Sequence, residues 1–499
     1  MDILRWTGVV LLWLFLIVLP IRAEWSPSFE QQAGGESFRC DSFSTYLRPA
    51  DFLAGGKAQF NVRVNGKFTG VYNDLNAWGK QVSFAYFSMK PGTEVQVEIT
   101  CLNDFHACFA LPGEHRPLFA EEDGTLCVTM KAGESLSLIF DKDYQGETLH
   151  LFANSLEECL PSPSSGLIVF GPGYHKLTEP LVLHGNKQVY IAGGAVVEGT
   201  LQIEQADGAR VYGSGMWVKR DPGGVVVSCA FSRNVSMEGI LVHNRRLSGW
   251  TVALHCVDGF RADNLRVIST HYASTDGFDI VNSRDVHLSH LFIRSCDDAI
   301  AVKGLVSGKP ASCPPNEHMT FEHLQLWNDC NNAMCLGAET RAACYRDIHF
   351  RDIDVLYSYD DRDHHTQLDE RSVMNIVCLN GTYFENISYE NIRVNQCERL
   401  VGITFKDSFW FGTLKGDQST PGGVRNVTYK DITSRSERLS SITNGILLNG
   451  WHREGTPDKL IENVTFQRVK LGGRKLAGKD IQTNNTRGMK LVKNIRICR

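Results

Sequence analysis

The chain has 499 residues, 51 basic and 56 acidic side chains, and a net charge of −5. That length exceeds one ordinary domain unless the domain is a repeat or a barrel, and the mixed, slightly acidic charge excludes the basic face that a nucleic-acid partner requires. Forty-five glycines, 16 prolines and the lack of long Leu/Ala/Glu/Lys runs point to many short strands joined by turns.

Arg5 precedes an apolar run from Trp6 to Pro20, and Ile21-Arg22-Ala23 ends in a small residue. Residues 1–23 read as a secretory signal cleaved after Ala23, because the run is short for a bilayer span of roughly 20 residues. The expectation is a secreted, extracellular, monomeric chain with no membrane segment after cleavage. Some of its 15 cysteines should then form disulfides, and the odd number leaves at least one thiol unpaired or intermolecular. Cys101 and Cys108 bracket a short loop and are candidates for a local bridge; Cys498 is placed to pin the chain end. Cys330, Cys335 and Cys344 lack a zinc spacing, and no metal or other cofactor is expected.

Residues 24–160 form the first domain. Gln59 to Val64 alternates, turns at Asn65-Gly66 and resumes at Phe68; Asn-Gly between alternating runs is the strongest short hairpin signal. Glu94 to Thr100, Leu136 to Phe140 and Thr148 to Phe152 alternate too, which predicts a small antiparallel β-sandwich. It carries no catalytic constellation. Residues 161–166, Pro161-Ser162-Pro163-Ser164-Ser165-Gly166, are a turn-rich linker.

From residue 167 to 499 the chain repeats itself. Asn234 to Ile240, Asp285 to Leu291, His318 to Leu324, Asp347 to Ile353, Asn386 to Ile392, Asn426 to Ile432 and Asn463 to Val469 share one pattern: a polar turn residue, apolar alternation, then a second polar turn. Asn and Asp suit such turns because they tolerate left-handed backbone. Second strands such as Thr251 to His255 and Ala299 to Lys303 lie between copies. The pattern predicts a right-handed parallel β-helix, all-β, with loop insertions in its later coils. Four of the six Asn-x-Ser/Thr sequons, at Asn234, Asn386, Asn426 and Asn463, sit in this motif, where Asn serves the turn first.

Three acids stand out. Asp276 lies between Thr275 and Gly277, and Asp297-Asp298 follow 21 residues later, which is one coil. Stacked coils bring such positions about one strand spacing apart, 4.8 Å, and carboxylates that close raise at least one pKa. Thr275-Asp276-Gly277 followed by Asp297-Asp298-Ala-Ile-Ala-Val-Lys resembles the signature of the polygalacturonase family of glycoside hydrolases, and the same three-Asp arrangement marks the related dextranase and isopullulanase family. The resemblance implies an enzyme that hydrolyses O-glycosidic bonds of a polysaccharide, pectin-type galacturonan or a related glucan, with inversion. It implies Asp297 as general acid, with Asp276 and Asp298 holding the water.

One coil on, the Gly-His-Gly of polygalacturonases is replaced by Asn331-Asn332-Ala333, and their Arg-Ile-Lys triplet is not found. This departure turns the reading toward the dextranase-like branch and a neutral or sparsely charged glycan. Candidate substrate-binding residues are Lys303, Asn332, His271, Tyr272, Glu339 and Arg341. Arg245, Arg246, Arg294 and Arg371 are further possible cations. His364 and His365 lie in a charged stretch better suited to a cleft wall than to a metal, and Phe409 to Phe411 form an aromatic cluster. The alternatives are a polysaccharide lyase on the same fold, which would want calcium and an Arg or Lys base, and a non-catalytic glycan-binding β-helix, which has no use for three crowded acids.

Overall fold

A computed structural model describes residues 37–498 apart from 53–58, 114–116, 121–123, 157–160, 222–223, 246–248, 272–273, 360–370, 410 and 437–444. The signal segment, Tyr272, His364 and His365 therefore lie outside the described residues.

Residues 38–155 build two facing sheets, one of eight strands and one of four. The hairpin turns at Asn65 and Gly66, both with positive φ (45° and 75°), as a two-residue turn between right-twisted strands requires. The expected sandwich is not wholly antiparallel: Thr148–Ser155 runs parallel to Gln81–Met89 along eight residues, and so occupies the middle of the larger sheet. Cys101 and Cys108 do not bridge. Both are buried thiols within the apolar core of the sandwich, where burial pushes Cys101 far up and Cys108 up to about 12, so they behave as small hydrophobes. Cys498, at the end of the strand Val492–Cys498, is an exposed thiol and bridges to no described cysteine.

From Leu167 onward the two long sheets are parallel and stacked coil on coil, with small antiparallel strand pairs at Ser408–Phe409 and Lys470–Leu471; each early coil supplies one short strand to each of three faces. The chain is a parallel β-helix preceded by a β-sandwich. The polar residue that opens each repeat sits in left-handed backbone: Asn234, Asp285, His318, Asp347, Asn386, Asn426 and Asn463 all have φ between 52° and 59°. Their side chains bond coil to coil, Asn386 to Asp347 at 3.0 Å, Asn426 to Asn386 at 3.2 Å and Asn463 to Asn426 at 3.0 Å. Inside, aromatic rings stack in register, Phe350 on Tyr389 on Tyr429 on Phe466, with centroids 4.9, 5.1 and 5.0 Å apart. Coils lengthen along the chain: Arg284 reaches Asp258 across 26 residues, whereas Asn426 reaches Asn386 across 40.

One face of the helix points apolar residues outward, among them Met216, Leu241, Ile268, Phe292, Trp327 and Leu356, and the sandwich covers them with Tyr46, Tyr72, Phe84, Tyr86, Phe109 and Phe152. Burial of this surface, at about 25 cal/mol per Å², holds the two parts together. Polar pairs fix their register. Arg294, fully buried, is gripped by both Asp329 oxygens at 3.1 and 3.0 Å and donates to Thr148 Oγ1 at 2.6 Å. Asp74 of the sandwich accepts from His243 Nε2 at 2.8 Å and pairs with His271 Nε2 at 2.7 Å.

Candidate active site

The acids sit where successive coils stack on one face. Phe278–Val281 pairs with Ile300–Gly304, Phe278 opposite Ile300, so Asp276 stands over Asp298, at a step of 22 residues. The 21-residue alignment of Asp276 with Asp297 expected from the sequence is therefore off by one, and Asp297 lies beside the column. Backbone bonds run up the column: Thr251 N–H to the Asp276 carbonyl at 3.1 Å, Gly277 N–H to Asp298 at 2.9 Å, and Ala299 N–H to Asn332 at 2.9 Å. Gly277 allows this approach, since a Cβ there would lie 2.6 Å from the Ala299 carbonyl oxygen.

Each carboxylate is held separately. Asp276 Oδ2 accepts from Lys303 Nζ at 2.8 Å. Asp298 Oδ1 accepts from the Asn332 side chain at 2.7 Å and its N–H at 3.2 Å. Asp297 Oδ1 accepts from the Asp298 N–H at 2.9 Å and Asn331 Nδ2 at 2.6 Å, and Oδ2 from the Ser274 N–H at 2.8 Å. Ser274 and Asn331, which flank Asp297, are both non-glycine residues with positive φ (52° and 81°), strain of the kind that accumulates at functional sites. One oxygen of each acid lies within 4.8 Å of the others. These three are also the described group with the geometry to take a cation.

Asp276 and Asp298 are buried, and Asp297 is half-buried. Burial pushes Asp276 up to about 6, against the pull of Lys303 and with the help of the Asp297 charge. Asp298 is driven well above the usual carboxylate range by burial and then by Asp297 and Asp276. Asp276 and Asp298 titrate together, so the proton belongs to the pair and not to either alone.

The structure brings most of the sequence candidates together, in altered roles. Lys303 is no free cation: it lies 2.8 Å from Asp276 and 2.9 Å from Asp279, under the Trp250 ring at 4.3 Å. Burial would lower its pKa, but the two carboxylates outweigh it and hold it charged. Asp279, fully buried, is itself raised far by burial and by Asp276. Asn332 is committed to the acids, for its Oδ1 also accepts from the Ser372 N–H at 2.9 Å and Asn375 Nδ2 at 2.8 Å. His271 faces the sandwich and not substrate, because Asp74 engages its imidazole. Glu339 and Arg341 line the cleft, with Arg341 Nε on Gln418 at 3.0 Å. Sequence reasoning missed Asp279 and Trp250 and left out Asn331; the Asn331-Asn332 pair aligned with Asp297-Asp298 was the available signal.

Above the acids opens a cleft of about 910 Å³, walled by Trp250, Leu305, Glu339, Arg341, Phe409 and Phe411. Of the other arginines considered, Arg371 also lines it, Arg294 is buried against the sandwich, Arg245 stacks 5.6 Å from Phe52, and Arg246 is outside the described residues.

No family model matches the chain, and no curated protein does. Among solved structures, Dex49A from Penicillium minioluteum superimposes with a TM-score of 0.61 at 13% identity, over 92% of this chain and 99% of that one. The family 28 exopolygalacturonase of Yersinia enterocolitica gives 0.48 at 12% identity, over 88% and 93%. The catalytic unit of the GH87 alpha-1,3-glucanase of Streptomyces thermodiastaticus gives 0.42 at 13%, over 90% and 84%. The likeness to Dex49A spans sandwich and helix together, and the chain shares that two-part parallel β-helix fold.

Proposed function

We propose that this protein is a secreted glycoside hydrolase that cleaves O-glycosidic bonds of a polysaccharide with inversion, Asp297 acting as general acid and Asp276 and Asp298 as the carboxylates that hold water. One observation carries the reading: three carboxyl groups whose oxygens lie within 4.8 Å of one another at the floor of an open cleft. Glycoside hydrolysis needs one carboxyl protonated for the leaving oxygen and another ionised for the water. Carboxylates this close cannot all ionise, so the cluster retains a proton that can pass to the leaving oxygen. Its exposure supports Asp297 as the donor, since it lines the cleft and alone of the three is half-buried. Lys303 keeps Asp276 anionic, and Asn332 occupies one oxygen of Asp298, leaving an oxygen of each for a shared water. The nearest oxygens lie within 4.8 Å, closer than the roughly 6.5–9.5 Å between carboxyl groups of typical inverting enzymes, so inversion here requires the carboxyl groups to diverge from those oxygens to admit the water.

The substrate is a neutral or sparsely charged glycan. Four carboxylates line the cleft, Asp276, Asp297, Asp298 and Glu339, and of its cations Lys303 is consumed by Asp276 and Asp279. A fully de-esterified polyuronide wants a guanidinium for each carboxylate. Trp250 and Phe411 offer ring faces for sugars. The test is a panel of neutral glucans and galactans against polygalacturonate across ionic strength. Strong, salt-sensitive turnover of polygalacturonate would overturn the substrate assignment.

A further inference from the structure

The turn that carries Asp297 and Asp298 opens with Cys296, and the turn that carries Asn331 and Asn332 holds Cys330 directly before them. The two thiols face each other, with Cys296 Sγ donating to Cys330 Sγ at 3.2 Å. Both are buried, 1% and 4% exposed. Ladder register sets the approach: Ser295 stands opposite Asn328, and the Asp329 N–H donates to the Ser295 carbonyl at 2.7 Å. Ala77 and Trp78, just past the sandwich strand Val71–Leu75, pack over the pair.

We propose that Cys296 and Cys330 form a disulfide that staples the coil of the acids to the coil of the asparagines that hold them. The sulfurs need close only from 3.2 Å to the bonding distance of about 2.05 Å. The oxidant is a small-molecule disulfide of the glutathione class. One cysteine thiolate attacks it and releases one thiol; the second thiolate then displaces the other half from the mixed disulfide. The protein loses two electrons, the oxidant is reduced to two thiols, and the two cysteine protons end on those thiols. Because Ala77 and Trp78 seal the pair, the bond forms during folding, before the sandwich edge closes. It lies one and two residues from Asn331–Asp297 and Asn332–Asp298, contacts of 2.6 and 2.7 Å, and so fixes the acids against their holders. That catalytic consequence rests on the hydrolase reading; the bond itself does not.

The test uses the full chain folded through an oxidising compartment, alkylated without reduction, digested and mapped by mass spectrometry. A peptide cross-linked between Cys296 and Cys330 is expected. Recovery of both as alkylated thiols, or either joined to another cysteine, overturns the proposal. Thermal unfolding gives a second readout. The bond closes a 34-residue separation, so Cys330→Ser and wild-type protein made under reducing conditions should both unfold about 4 °C below the oxidised chain. Equal midpoints for all three would also overturn it. Neither readout involves turnover, so failure of the hydrolase reading leaves both intact.

Discussion

Lys303→Met keeps the apolar stem of the side chain and removes the ammonium that lies 2.8 Å from Asp276 and 2.9 Å from Asp279. Both carboxylates are buried, and breaking a buried ion pair costs about 3–5 kcal/mol at neutral pH. Lys303 holds Asp276 down near 6 against burial. Loss of a cation in contact raises a carboxyl pKa by roughly 1–3 units. Since Asp276 works ionised, the acid-side limb of the pH–rate profile should move alkaline by that amount, with turnover near pH 6 falling about tenfold per unit. Stability follows the same direction. A carboxyl with a folded pKa above its unfolded value of about 3.9 favours the fold below that value, and the contribution is lost as pH rises through the folded pKa. The variant should therefore lie close to wild type near pH 4 and show its full deficit above its raised pKa. Measurement of kcat/KM across pH, with urea denaturation at the two extremes, checks both. A folded Lys303→Met protein with an unmoved acid limb would refute the role given to Lys303.

Asn332→Ala leaves the Ser372 N–H without its acceptor; an orphaned buried donor costs about 1–3 kcal/mol, read by urea denaturation, and Asp298, losing a donor that lowers its pKa, should titrate still higher. Asp74→Asn should destabilise the neutral-pH protein by loosening sandwich from helix. Burial would raise Asp74, but hydrogen bonds from His243 and His271 outweigh it and hold Asp74 well below the usual range. Its contribution is thus present above about pH 4 and fades as pH falls, and so should the difference between variant and wild type in thermal midpoints. NMR of the first-formed anomer should show inversion; a retained anomer would mean direct carboxylate attack.

The β-helix was readable because its turns demand left-handed backbone at one position per coil, and Asn234, Asp285 and Asn386 announce that position by type. The acids were readable because an isolated Asp and an Asp pair are set one coil apart. Register was not. A step of 22 and not 21 residues put Asp276 over Asp298, a difference the hydrophobic alternation alone does not encode. Asp279 escaped notice because an acid in a strand looks like a solvent-facing residue until Lys303, two residues along the next coil from its register partner Ala301, meets it. His271 was misread because its partner, Asp74, lies in the other domain. Cys101 and Cys108 looked paired by proximity, yet the sandwich core buries each as an apolar group. The structure instead brings Cys296 and Cys330 together from different coils, a contact that sequence distance hides.

The most direct test of the central claim is reducing-end release from a polysaccharide panel by wild-type protein and by Asp297→Asn, with circular dichroism to confirm that both are folded. Wild type should release reducing ends from at least one neutral glycan, in the presence of a chelator, and Asp297→Asn should lose roughly 10²–10⁴-fold. A folded Asp297→Asn protein with near-normal turnover, or unsaturated ends in place of hydrolytic ones, would contradict it.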